Sequence, residues 1–474
     1  MKVLKHIPQI IFEETNMRFC RSITLGLAGL WSMLCASAAP LAVAADVSDR
    51  IVVMISVDGL AGYYLDDPKA EMPTIRALAA GGTRASQMKA STPTVTWPNH
   101  TTLVTGVNPA RHGVVGNNYF DRATGRNVRL ISDPIYDKDQ IVKVPAIYDL
   151  AKAQGLKTAA VRWPATRNAR TLDWTIPDMA SGKPMLSNTT PTLIEACARE
   201  GIPFGSTNGS ANTNVPMEVT YTRIFNMILR DHRPNLGLLH LIEVDQVQHM
   251  KGPRSPAAYA AIKDADERVA EIWTELKRDF PDRAALFIVS DHGFSPIRRT
   301  LLPNVLLRQA GLLGSETNSL IHIVGQGGAA MVYLLDQKHR KDLSSQARKA
   351  LVGLEGISKI VGVEDFQQYG VANPKDDPHA PDMILFAEEG CVFSDTADGE
   401  LPFIEKPERG GSHGHDPNLP DLHATFVAWG AGIKPGVNLG EISNIHVAPT
   451  IAKLLGFSIP HAEGKPLKAA LTGN

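Results

Sequence analysis

"RIVVMISVDG", residues 50–59, is an unbroken apolar, β-branched run that stops at an acid and a glycine, and it reads as a buried strand. Two later stretches repeat the design. "LGLLHLIEVDQVQH", residues 236–249, meets Asp245 at its end, and "ALFIVSDHGF", residues 285–294, meets Asp291 and His292. Between them, residues 256–280 read as a helix with Ile262, Val269, Trp273, Leu276 and Phe280 along one face. Strand, helix and strand at that length predict a right-handed parallel crossover, so the fold class is α/β, with a mostly parallel central sheet flanked by helices. Ligands of open α/β sheets bind beyond the carboxyl ends of the strands. Three strands ending in carboxylates place the site there.

The chain has 474 residues, 43% of them apolar and 20% charged, enough to bury a large core. Its formal charge of -1 gives no global field to attract a nucleic-acid duplex or an anionic membrane, so any phosphate recognition is local. Near the start, Arg18 and Arg21 precede an uncharged run from Ser22 to Ala45 that ends in "PLAVAAD", the layout of a secretory signal cut after Ala44. Residues 1–44 are therefore expected to be an extension and signal, with Met17 as a second candidate start, and 45–474 to be the catalytic domain. An uncleaved run of that length could instead anchor the chain in a membrane, but Pro40 and the small residues after it favour cleavage. Cleavage leaves Cys197 and Cys391, whose pairing the sequence leaves open, and predicts a periplasmic or secreted protein. Residues 166–235, rich in Asn, Ser, Thr and Pro, and residues 326–394, with strand and helix signals of their own, read as insertions.

"STPTVTWPNHTTLVTG", residues 91–106, places Ser91, Thr92, Thr94 and Thr96 just ahead of a helix that Pro98 is expected to open. Hydroxyls there can be ordinary caps. They can also sit beside an anion held at the positive end of that helix.

Single acids at strand ends are most often turn or cap residues. Here they accumulate: Asp58, Asp245 with His249 four residues on, Asp291 beside His292, and "GGSHGHDP" offering His413 or His415. Carboxylates and imidazoles together suit zinc without cysteine. Six such groups exceed one zinc and fit a pair of ions about 4 Å apart, of the kind that clamps both oxygens of a phosphoryl transfer. A hydroxyl beside such a pair would lose its proton readily and become a nucleophile.

The succession "TWPNHTTLVTG", "HGVVGN", Asp-x-x-x-His, "DHG" and "HGHD" resembles, in order and approximate spacing, the nucleotide pyrophosphatase/phosphodiesterases of the alkaline phosphatase superfamily, over residues 51–453. The resemblance implies an alkaline-phosphatase-like fold with a cap or small subdomain inserted. It makes Thr96 the nucleophile that carries a phospho-threonine intermediate. It places Asp58, Thr96, Asp291 and His292 around one zinc, and Asp245, His249 and His413 around the other. Asn117 would donate to a non-bridging phosphate oxygen, and Trp97 would offer a face to a nucleobase; Thr92, Thr94 and Asn118 would be structural. The substrate implied is a small nucleotide or similar phosphodiester. Gln248, His415 and "RWPATR", residues 162–167, depart from the family's usual residues and are expected to alter the pocket wall.

A sulfatase-type Cys-x-Pro-x-Arg is missing near residue 96, and the signal and Thr96 argue against a cytosolic phosphoglycerate mutase. A phosphomonoesterase, which needs extra positive charge at the site, and an inactive metal-stabilised binding protein of the same fold are the alternatives. Arg111, the nearest cation in the motif region, reads as a solvated surface residue.

Overall fold

The computed structural model describes residues 49–473 except 132–135, 181, 205–215, 315–318 and 407–409. The signal-like segment lies outside them. An eight-stranded sheet is built from β1 (Ile51–Val57), β2 (Thr83–Arg84), β3 (Thr158–Trp163), β4 (Trp174–Pro177), β5 (Leu236–Leu241), β6 (Ala284–Val289), β11 (Phe426–Gly430) and β12 (Val437–Asn438). Their order across the sheet is β12-β2-β11-β6-β1-β5-β3-β4. β1 lies at its centre, parallel to β5 on one side and β6 on the other, while β11 runs antiparallel to β6. A second, four-stranded sheet in the order β7-β8-β10-β9 uses β7 (Ile321–Gln326), β8 (Ala329–Leu334), β9 (Ile357–Gly362) and β10 (Met383–Ala387).

Seven helices matter here: α1 (Pro73–Gly81), α2 (Thr96–Thr105), α3 (Met217–His232), α4 (Glu243–Lys251), α5 (Pro256–Asp279), α6 (Arg340–Leu351) and α7 (Val447–Leu454). The unbroken apolar run of β1 follows from helices on both faces. Ile51, Val53, Ile55 and Val57 pack with Ile224, Phe225 and Ile228 of α3 and with Ile262, Val269 and Ile272 of α5. Val52 and Met54 point the other way, toward Leu103 and Val104 of α2 and Ile451 of α7. α5 carries the chain from β5 over β1 to β6, the crossover the sequence predicts.

Two expectations change. The described residues within 166–235 belong in part to the main domain: β4 pairs with β3 at the edge of the central sheet, and α3 fills one of its faces. The polar composition of the connections hides a short strand and an amphipathic helix. The segment expected at 326–394 forms its own sheet, which starts at Ile321 and packs Leu343, Ala347 and Leu351 of α6 against Met383 and Leu385. Cys197 and Cys391 are both buried, free thiols in separate clusters.

Ile55 is wholly buried at the centre of the sheet. Ile55→Ala is expected to lower unfolding stability by about 2–5 kcal/mol, measured by denaturant titration.

Candidate metal and phosphate centre

The carboxyl ends of β1, β5 and β6 meet at one place. Asp58 follows the last residue of β1, and Asp291 lies two residues beyond β6. Asp245 is placed differently from expectation. β5 stops at Leu241, and Asp245 is the third residue of α4, with His249 one turn on. Residues four apart share a helix face, so the two side chains are presented together.

Three imidazoles are oriented in the same manner. His249 Nδ1 bonds the Gly411 carbonyl at 3.0 Å, His413 Nδ1 the Thr94 carbonyl at 2.9 Å, and His292 Nδ1 the Gly293 carbonyl at 3.0 Å. A carbonyl only accepts, so each Nδ1 carries the proton and each Nε2 of a neutral ring presents a lone pair. Those lone pairs converge. His249 Nε2 and His413 Nε2 are 3.2 Å apart, and Asp245 Oδ1 lies 3.5 and 3.6 Å from them. His292 Nε2 faces Asp291 Oδ2 at 3.1 Å and Asp58 Oδ1 at 3.4 Å. The rings of His292 and His413 stack with centroids 3.6 Å apart, which joins the two groups.

Such an arrangement repels itself unless a cation sits among the groups. Asp58 Oδ1, Asp245 Oδ1, Asp291 Oδ2 and His292 Nε2 are all buried without a hydrogen-bond partner. Burial, reinforced by the charges of Asp291 and Asp245, pushes the Asp58 carboxyl well above its usual range. Burial also works to raise Asp291, but the imidazoles of His292 and His100 outweigh it and hold that carboxyl low. His413 is driven well down by burial and by the neighbouring His292 and His249, so it stays a neutral donor. Asp245, His292 and His413, and again Asp58, Asp291 and His292, could each hold a metal ion. The donor set suits a divalent, borderline ion.

Around these groups lies a layer that the sequence did not reveal. His240, in the middle of β5, places Nε2 2.9 Å from Asp58 Oδ2 and Nδ1 3.0 Å from the Arg162 carbonyl. The Gly59 N–H bonds Asp291 Oδ1 at 3.2 Å; its φ is +67°, and a Cβ there would meet the Phe294 ring at 3.0 Å. Gln248 is fully buried, donates to the Gly59 carbonyl at 2.9 Å and accepts from the Tyr64 hydroxyl at 2.8 Å. It therefore ties α4 to β1 from behind and does not line a pocket wall as expected. A histidine inside an apolar strand was the one available signal for this layer.

Thr96 opens α2, so the helix starts two residues before Pro98. Proline at the third position still removes only an N–H that has no partner within the helix. Two residues upstream, the Thr94 carbonyl receives His413 Nδ1 and the Gly414 N–H, while its hydroxyl donates to the His415 carbonyl at 2.9 Å. The segment that leads into α2 and the histidine loop are thus one hydrogen-bonded unit. Asn117 Oδ1 accepts the Trp97 N–H at 2.8 Å, which leaves its amide NH2 to serve as a donor at the start of α2. His415 is buried and bonds the Cys391 carbonyl at 2.8 Å, so His413 is the ligand candidate of the pair. Arg162 pairs with Asp178 at 3.0 Å, and Arg111 donates to the His461 carbonyl at 2.9 Å on the surface.

The role expected of Trp97 is corrected. Its side chain is 1% exposed and packs among Val114, Val115, Leu130 and Ala165, so it offers no face to a base.

A mixed, mostly parallel α/β sheet with acids and imidazoles at its strand ends and a hydroxyl at a helix start fits an alkaline-phosphatase-like fold. The chain belongs to the Type I phosphodiesterase / nucleotide pyrophosphatase family, whose profile matches residues 52–416. Venom phosphodiesterase 2 of Crotalus adamanteus is 24% identical over 430 residues, 89% of this chain and 47% of that protein. Ectonucleotide pyrophosphatase/phosphodiesterase family member 1 of Homo sapiens is 25% identical over 416 residues, 86% of this chain and 40% of that one. The chain spans about half the length of these curated relatives. Murine ectonucleotide pyrophosphatase/phosphodiesterase 5, solved as an inactive threonine-to-alanine variant in complex with AMP, matches with a TM-score of 0.67 at 20% identity, covering 89% of this chain and 100% of that one.

Trp97→Ala should lower stability by about 3–5 kcal/mol. Its kcat/KM should fall equally for nucleotide and base-free esters, read from a paired assay with thermal melts. A selective loss on nucleotides would restore the stacking role.

Proposed function

We propose that the chain is an exported, zinc-dependent phosphodiesterase that cleaves nucleotide or similar phosphodiester and pyrophosphate bonds through a phosphothreonine on Thr96. The observation that carries this reading is the convergence of three Nε2 lone pairs with Asp58, Asp245 and Asp291 at the strand ends. Asp245, His249 and His413 would hold one ion, and Asp58, Asp291, His292 and Thr96 the other. When bound, the ions would supply charge for the phosphoryl oxygens and lower the pKa of a hydroxyl.

The chain's own groups supply the rest. Thr96 Oγ1 gives up its proton to water and attacks phosphorus, a Thr96–phosphate bond forms, and the bond to the leaving alcohol or phosphate breaks, with the departing oxygen taking a proton from water. Water then attacks the phosphothreonine, the monoester is released, and Thr96 regains its proton. The positive end of α2 and the Asn117 amide face the charge that develops on the non-bridging oxygens. Asp291 stays fixed because the Gly59 N–H holds its second oxygen, and the second oxygen of Asp58 lies 2.9 Å from His240 Nε2.

Diesters are favoured over monoesters. A dianionic monoester needs an added cation at the site. Arg162 is committed to Asp178, and Arg111 to a surface carbonyl. Export is supported by the signal layout of residues 18–45 and by the venom and ectoenzyme names of the relatives. Among the described residues, no helix is long and apolar enough to cross a membrane. A purely binding role is disfavoured because the sequence carries the Thr96 hydroxyl as well as the whole ligand set.

Chelation should abolish turnover of a nitrophenyl phosphodiester and zinc should restore it, with kcat/KM for the matched monoester well below that for the diester. Full activity in protein shown to be metal-free would refute the zinc reading. Thr96→Ala should reduce kcat by a factor on the order of 10⁴ or more with an unchanged melting temperature, whereas Thr94→Ala, which keeps the carbonyl that orients His413, should retain most activity. Exchange of these two behaviours would reassign the nucleophile.

A further inference from the structure

α4 starts without a cap of its own. β5 ends at Leu241, the next residue is Ile242 at the N-cap position, and Glu243 is already helical. An isoleucine side chain cannot accept a hydrogen bond, so the first N–H groups of a helix that carries Asp245 and His249 need an acceptor from elsewhere. Glu218 provides it. Its Oε1 receives the Ile242 N–H at 2.5 Å and the Glu243 N–H at 2.7 Å.

Glu218 lies in the first turn of α3, so the positive ends of two helices meet at one carboxylate. The residue is only 8% exposed. Burial pushes its carboxyl up to about 7, opposed by the two backbone N–H groups and the charge of Arg268 and reinforced by Glu243. A buried acid without a role would be a net cost. Asp245 lies two residues beyond Glu243, and His249 four further, on a helix fixed at its start by this contact and along its length by Gln248.

We propose that Glu218 is a positioning residue for the metal centre: it caps α4 from α3 and thereby fixes Asp245 and His249 in register with His413. The proposal rests on the two-ion reading above. It predicts that the Asp245/His249/His413 position depends on Glu218 and that the Asp58/Asp291/His292 position does not.

The molecule contains its own control. Asp266 of α5 makes the same kind of contact, accepting the Thr74 and Ile75 N–H groups at 3.0 and 2.8 Å, but the helix it caps, α1, carries no site residue. Zinc binding to the full chain, followed by competition with a chromogenic chelator, separates the two cases. Wild type should bind two ions, and Glu218→Ala should weaken one of them by about 10–100-fold and leave the other unchanged. Glu218→Gln, which keeps an acceptor oxygen in place, should recover both affinities to within a few-fold. Glu218→Asp withdraws the carboxylate by one methylene and should weaken the same ion, which covers failure of the alanine variant to fold. Asp266→Ala should lower the melting temperature with both affinities intact. Wild-type affinities in both Glu218→Ala and Glu218→Asp, or an equal loss in Asp266→Ala, would overturn the proposal. Fewer than two ions in wild type would instead refute the two-ion reading beneath it.

Discussion

Three backbone carbonyls, those of Gly411, Gly293 and Thr94, each take the Nδ1 proton of a histidine, and the rest of the site depends on that commitment. Once Nδ1 is the donor, Nε2 of a neutral ring presents a lone pair, and all three Nε2 atoms point toward buried carboxylates. Removing a carbonyl contact would free a ring to rotate or change tautomer, and the convergence would be lost. Fixing the tautomer this way also raises the basicity of the nitrogen offered to a cation.

The carbonyls are in place because of the sheet. β1, β5 and β6 run side by side in one direction, so their ends deliver Asp58, α4 and Asp291 to a common edge. Two cores clamp β1, one under α3 and α5 and the other under α2 and α7. Rigidity matters here because the like charges of Asp58, Asp245 and Asp291 oppose one another and would separate on a looser scaffold. The link between Thr94 and the loop holding His413 then adds the segment that leads into α2 to the same unit.

Much of this was legible in the sequence. Apolar runs ending in acids gave the strands and the site edge, and the four-residue interval from Asp245 to His249 could serve one centre whether it lay on a strand end or a helix. What the sequence concealed depends on distant contacts. The passage from β5 into α4 has no turn residue, so an apolar strand and the start of a helix read as one run. Trp97 is buried by Val114, Val115, Leu130 and Ala165, residues whose approach no local pattern announces. The cap from Glu218, 25 residues before Glu243, likewise exists only once α3 and α4 meet. Strand β4 escaped notice because four residues amid polar connections carry too little periodicity.

Anomalous diffraction at the zinc edge, from crystals grown with zinc, tests the central claim most directly. Two peaks per chain are expected, one among Asp245, His249 and His413 and the other among Asp58, Asp291, His292 and Thr96. No peak at these residues, or direct hydrogen bonds among them at full zinc occupancy elsewhere, would contradict it.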